Sequence, residues 1–352
     1  MFEGGMGGAV MRKILLILGV LLAGPALGQE CTGRNLLAEL TPSQRAEIDQ
    51  AVAITRYHKG IFWTAQKGNA EIILIGTYHF ADPRHDLTMS QFSDKIDTAS
   101  TLLVESGPQE QAQLSQALKE NPTLITDPSG PTLPERMSDH DWQQVSDAMA
   151  ARGIPAFVTS KMRPWYVAMM MGMSPCMLEQ ARGDGGVRGL DQLLMDRATD
   201  RGIPIRALER WDTVFTLFSD MTPTEEVDML RSAMPAAEHA DDYATTLIDA
   251  YFSGDIWQIW EFGRIDAYAS SGLSRAEVDQ QMQLAGEKLM DARNLSWIAP
   301  LEAAANAAAT DDSHVVAAFG ALHLPGENGV LRLLEKDGWR IRELPSPHKA
   351  GG

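Results

Sequence analysis

Cysteine is nearly absent: Cys31 and Cys176 are the only two. No C-x-x-C pair and no Cys/His grouping at zinc-finger spacing occurs, which excludes a structural zinc of that kind. A G-x-S-x-G elbow, a P-loop and a G-x-G-x-x-G fingerprint are also missing. Serine-hydrolase and nucleotide-dependent readings therefore have no motif to rest on. Basic residues are scarce, with 30 Lys and Arg against 47 Asp and Glu and a net charge of −17. Nucleic acid and anionic membrane surfaces both need a basic footprint, so neither is an expected partner. No apolar run reaches the length of a confident membrane span.

What is present begins with Met11-Arg12-Lys13, the apolar stretch Ile14–Ala23 and the small-residue end Pro25-Ala26-Leu27-Gly28. That pattern predicts a secretory signal peptide with cleavage after Gly28, preceded by an upstream extension, and hence a periplasmic or secreted protein. Cys31 lacks the Leu-Ala-Gly type context of a lipoprotein site, so no stable membrane anchor is expected after cleavage. In an oxidising compartment Cys31 and Cys176 are expected to pair; the alternative is two separate thiols. Residues 29–346 are read as one α/β domain, and 347–352 as a tail.

Within that domain Thr41-Pro42-Ser43-Gln44 has the form of a capping box. Ile61–Ala65 and Glu71–Ile75, separated by Lys67-Gly68-Asn69, predict an antiparallel hairpin. Further strands are predicted at Thr101–Glu105, Ile154–Val158, Ile203–Leu208, 314–319 and Trp339–Leu344, with helices at Gln109–Glu120 and Leu190–Arg201. From about 211 to 301 no strand is predicted, and Thr222-Pro223-Thr224-Glu225 and Ser274-Arg275-Ala276-Glu277 each mark a helix start. The predicted fold is α/β: a mixed central sheet flanked by helices, with an inserted helical subdomain.

Chemistry concentrates at strand ends. Gly76-Thr77-Tyr78-His79 follows Ile72–Ile75, and Gly320-Ala321-Leu322-His323 follows His314–Phe319. Each phrase places an imidazole at a sheet rim, where ligands gather in α/β proteins. Glu105 closes an apolar strand before Ser106-Gly107-Pro108 and is the matching carboxylate. His79, Glu105 and His323 are thus a candidate metal or acid/base set with positions open for water and substrate; the alternative is strand capping by each His. Arg293 is a candidate oxyanion stabiliser, with Asn294 beside it. Asp191 is read as a helix cap, Glu209 as a rim residue and His85 as a lesser ligand. Met169–Met173 with Cys176 and Met177 offers soft donors for Cu(I), with core packing the competing reading. Glu238, His239, Asp241 and Asp242 lack calcium-loop spacing, and Gly183-Asp184-Gly185-Gly186 only outwardly resembles a phosphate loop.

Taken in order, several phrases resemble the TraB/GumN family, which includes the Tiki-type proteases and is related to the erythromycin esterase/ChaN-like fold. They are Gly76-Thr77-Tyr78-His79, Val104-Glu105-Ser106-Gly107-Pro108, Gly189-Leu190-Asp191, Gly202-Ile203-Pro204-Ile205 with Leu208-Glu209, Arg293–Trp297 and Phe319–Gly326. Cys31–Leu37 resembles the opening of secreted GumN-like members. The chain departs from many relatives after Glu209, where Arg210-Trp211-Asp212-Thr213 replaces a Gln-containing phrase, so no role is carried over to Glu209. The resemblance implies a site lined by His79, Glu105 and His323, with Arg293 and Asn294 as companions. It implies a divalent ion, Mn²⁺, Zn²⁺ or Co²⁺, and a peptide or small-molecule substrate in the cell envelope. Haem-binding relatives make a non-catalytic protein that binds metal, haem or an envelope partner the alternative, and a relic scaffold in polysaccharide export a third.

Overall fold

A computed structural model describes residues 31–182 and 188–348, the side chains of 180–182 excepted. The predicted signal segment and the Gly183–Gly186 stretch lie outside the described residues. At the centre is a six-stranded mixed sheet: β1 (Phe62–Lys67), β2 (Ala70–Thr77), β3 (Ala99–Val104), β4 (Ile205–Ala207), β5 (His314–Gly320) and β6 (Arg340–Glu343). Their spatial order is β4-β3-β5-β2-β1-β6. β2, β5, β3 and β4 run parallel, while β1 is antiparallel to both β2 and β6. The predicted hairpin, the late helical region and every predicted strand but one are found.

Sequence explains the layering. β5 is buried along Val315–Phe319, and β2 along Ile72–Ile75, as continuous apolar runs. Strands covered on both faces need that composition rather than alternation. The covering comes from the helices His85–Asp97, Leu190–Asp200, Ala292–Ala309 and Val330–Lys336, which send Phe92, Leu194, Trp297, Leu301 and Leu331 into the same core. A second core joins helices from either side of β4 in sequence, with Val145, Met149, Val167, Met171 and Leu230 buried together.

The exception is Ile154–Val158, where a helical turn, Ala156–Thr159, stands in place of a strand. Pro155, at φ −65° and ψ 150°, starts that turn. Phe157 is 77% exposed, so it fills no sheet face there. The Met169–Met173 run packs rather than binds: Met170 and Met171 are buried in the second core, and Cys176 is tied to Cys31 in a disulfide. A thiolate for Cu(I) is therefore gone. No helix among the described residues is long and apolar enough to cross a membrane.

Candidate functional site

The two G-x-x-H phrases lie on neighbouring strands in near-matching register, with Gly76 opposite Phe319 and Thr77 opposite Gly320. Their glycines interlock them. A Cβ on Gly76 would stand 2.7 Å from Leu324 and 3.1 Å from Ala321, so only glycine lets the turn that carries His323 press onto β2. A Cβ on Gly320 would enter the space between Glu105 Oε1 at 3.2 Å, His79 Nε2 at 3.3 Å and His323 Cδ2 at 3.5 Å. The missing side chain leaves a cradle about one atom wide at the meeting point of the three predicted residues.

His79 is oriented by a segment more than a hundred residues away. Gly189 lies against its backbone so closely that a Cβ there would fall 2.2 Å from the His79 carbonyl carbon. Leu190 donates its N–H to Tyr78 O at 3.0 Å, docking the start of helix Leu190–Asp200 on the strand end. Asp191, in the first turn, then accepts from His79 Nδ1 at 2.7 Å and from the Thr77 hydroxyl at 2.6 Å. Asp191 is thus an orienter of His79, where the sequence suggested a cap; Gly189 takes the N-cap position. The Asp191 charge raises the His79 pKa to about 9, against a smaller opposing effect of burial. The His79 side chain is still 55% exposed although protein surrounds it at longer range. Solvent on its open face tempers the Asp191 effect, and the upward direction is what the geometry supports.

His323 has the opposite surroundings. Its Nδ1 faces Asn294 Oδ1 at 2.7 Å, and the Asn294 amide donates to Asn328 O at 2.9 Å. That second bond fixes the oxygen of Asn294 toward the ring, so Nδ1 carries the proton and Nε2 the lone pair. Only 8% of the His323 side chain is exposed. Burial lowers its pKa to about 4; Glu105 works against that shift, while Arg293 and His79 add to it. Trp297 supports the ring from one side, with centroids 4.5 Å apart.

Glu105 sits one residue past β3. Oε1 accepts the Gly320 N–H at 2.6 Å and Oε2 accepts Arg293 Nη2 at 2.7 Å. Burial opposes its charge, but the two imidazoles, Arg293 and the Gly320 N–H more than reverse this and hold its carboxyl at about 2. Arg293 follows a π-helical turn, Glu287–Asp291, and donates Nη1 to Leu289 O within it at 3.0 Å. Such turns recur at functional sites because they re-aim the residues that follow. Glu209 receives Arg293 Nε at 2.5 Å, Arg293 Nη2 at 3.1 Å and the Trp297 indole N–H at 3.1 Å. Sequence gave Glu209 no role; in the fold it is the anchor of Arg293.

His85 does not join the site. It is fully buried and its Nε2 bonds Phe80 O at 3.0 Å. Of the acidic cluster, Asp242 pairs with Arg34 and Asp241 accepts from Ser174. The cluster lines a cavity of about 570 Å³ that shares no residue with the site.

Among the described residues no three His, Cys, Asp or Glu side chains stand as a ready metal group. The donors nevertheless suit a divalent ion. Both outer imidazole nitrogens are committed to oriented partners, as ligating histidines require. Glu105 Oε1 and His323 Nε2 are 3.9 Å apart, a span two ligands of one ion share, and the Gly320 cradle adjoins them. What occupies the lone pair of His323 Nε2 is Arg293 Nη1, at 3.2 Å.

The mixed α/β sheet thus brings His79, Glu105 and His323 to the ends of its parallel strands. The chain belongs to the TraB/PrgY/gumN family, whose model matches residues 61–343. No curated protein matches the chain.

Proposed function

We propose that the protein is an exported metal-dependent hydrolase, peptidase-like, acting on a peptide or small molecule of the cell envelope. The observation that carries this reading is the convergence of His79 Nε2, Glu105 Oε1 and His323 on the cradle left by Gly320. His79, Glu105 and His323 would hold Mn²⁺, Zn²⁺ or Co²⁺, which when bound supplies Lewis acidity and lowers the pKa of a water. Asp191 keeps the His79 ring turned so that Nε2 faces the cradle, and Asn294 holds the His323 ring so that Nε2 carries the lone pair and lies 3.9 Å from Glu105 Oε1. The Asp191 charge favours the protonated form of His79, so an ion bound there would compete with a proton and its affinity would rise with pH. Arg293 offers a guanidinium beside Glu105 that can meet an oxyanion developing on a substrate carbonyl. The disulfide and the sequence Met11–Gly28 support export.

Arg293 on His323 Nε2 is the observation that favours the alternative, a protein that binds metal, haem or an envelope partner without turnover. Elemental analysis of the purified protein beside His79→Ala/His323→Ala separates the cases. Stoichiometric Mn²⁺, Zn²⁺ or Co²⁺ lost in the double variant, with ion-dependent cleavage of a peptide library, is the expected result. Ion without cleavage supports the alternative, and no ion after incubation with all three overturns the metal reading.

A further inference from the structure

Arg293 brings a permanent cation onto two of the three proposed ion ligands. Its guanidinium touches both faces of the ion site, Oε2 of Glu105 at 2.7 Å and Nε2 of His323 at 3.2 Å. At the same time its other edge is gripped in a forked contact by Glu209, which is 12% exposed and reinforced by the Trp297 indole. Three carboxylates, Glu105, Glu209 and Asp191, thus surround one guanidinium and one exposed imidazole in a largely buried space. Arg293 therefore has two sets of partners, of which one coincides with the proposed ion ligands and the other does not.

We infer that Arg293 is a stand-in cation held on a clasp by Glu209: it covers Glu105 and His323 Nε2 in the free protein and withdraws onto Glu209 when a divalent ion takes them. This rests on the metal reading above. A guanidinium and a divalent ion repel at short range, and a lone pair on Nε2 serves only one of them. Retreat without Glu209 would strand a buried cation, so the carboxylate makes the second position affordable to the protein. Glu209 is accordingly a positioning residue that acts through Arg293 and does not touch the ion.

The test is the affinity for Mn²⁺, Zn²⁺ and Co²⁺, by calorimetry on the full chain, of the wild type, Arg293→Met, Glu209→Gln and the double variant, each checked for folding by circular dichroism. Arg293→Met should bind about tenfold more tightly or better, and Glu209→Gln about tenfold more weakly, the range that partners of metal ligands command. The double variant should bind as Arg293→Met does, because Glu209 has nothing left to hold. Tighter binding is not what a merely loosened protein shows. If Arg293→Met is unfolded, Arg293→Lys, which keeps the charge and loses the fork, should fall between wild type and the expected Met value. Equal or weaker binding in the folded arginine variants, with ion in the wild type, overturns the clasp alone. Tight binding in Arg293→Met that disappears in the double variant overturns it too, since Glu209 would then be a ligand. Ion in Arg293→Met and none in the wild type supports it. No ion in any protein overturns the metal reading and the clasp together.

Discussion

His79 and His323 occupy corresponding places on adjacent parallel strands, each three residues after a glycine, and their protonation is opposite. The first has Asp191 behind Nδ1 and an open face; the second has Asn294 behind Nδ1 and almost none. The charge of Asp191 raises one pKa to about 9, while burial, with Arg293 and His79 adding to it and only a neutral amide behind the ring, lowers the other to about 4. The motif delivers the imidazole; the segment that arrives from elsewhere decides what it does with a proton.

The largest expected effect comes from removing the contact that brings Asp191 to the first histidine. Gly189→Ala would drive a Cβ into the His79 backbone and should cost about 3 kcal/mol or more of stability. Gly263→Ala is the control: its Cβ would meet nothing within 4 Å, in a helix interior, so thermal denaturation should show a neutral or slightly stabilising change.

Next in size is Asp191→Asn, which gives His79 the kind of partner His323 has. Its pKa, followed by NMR of the ring protons, should fall from about 9 toward the ordinary 6.5. Because the folded value lies above the unfolded one, His79 contributes stability that is complete below pH 6.5 and lost as pH rises through 9. Denaturation midpoints should therefore decline over that window in the wild type and stay flatter in Asp191→Asn. Glu105, with a folded value of about 2 against 4.5, loses its contribution only at the acid end.

The smallest effect is expected from the converse change, Asn294→Asp. His323 should rise from about 4, but burial and the neighbouring Arg293 still oppose its charge. Titration by NMR should find it moved up while remaining below His79. Values unchanged from the wild type in the two variants would mean that the partner behind the ring is not what separates the two histidines.

How far the sequence led depends on whether a feature is local. Continuous apolar runs marked β2, β3 and β5, and the glycine ending β2 and β5 marked the rim, so His79, Glu105 and His323 were legible. Asn294 and Arg293 were legible through the family phrase they belong to. Asp191 was visible only as a helix-start acid, because its meaning depends on Gly189 touching a strand end far back in the chain. Glu209 was discounted for the residues that follow it, whereas its position is set by β4, which brings it beside Arg293. Ile154–Val158 failed for the usual reason with short apolar runs: nothing within five residues tells a strand from a turn of helix led by proline.

The strand order has a consequence for how the molecule comes into being. β5 lies between β2 and β3, yet it is made last of the three, after residue 313. A growing chain therefore carries the two flanking strands for more than two hundred residues with a gap between them and their facing edges unpaired. Long-range closure of this kind is slow and leaves sticky edges in the interim. Synthesis that stops short of Gly320 would leave β1–β2 and β3–β4 as separate pairs with no strand to join them and no shared site, so the strand that completes the rim also ties folding of the sheet to the last stage of translation.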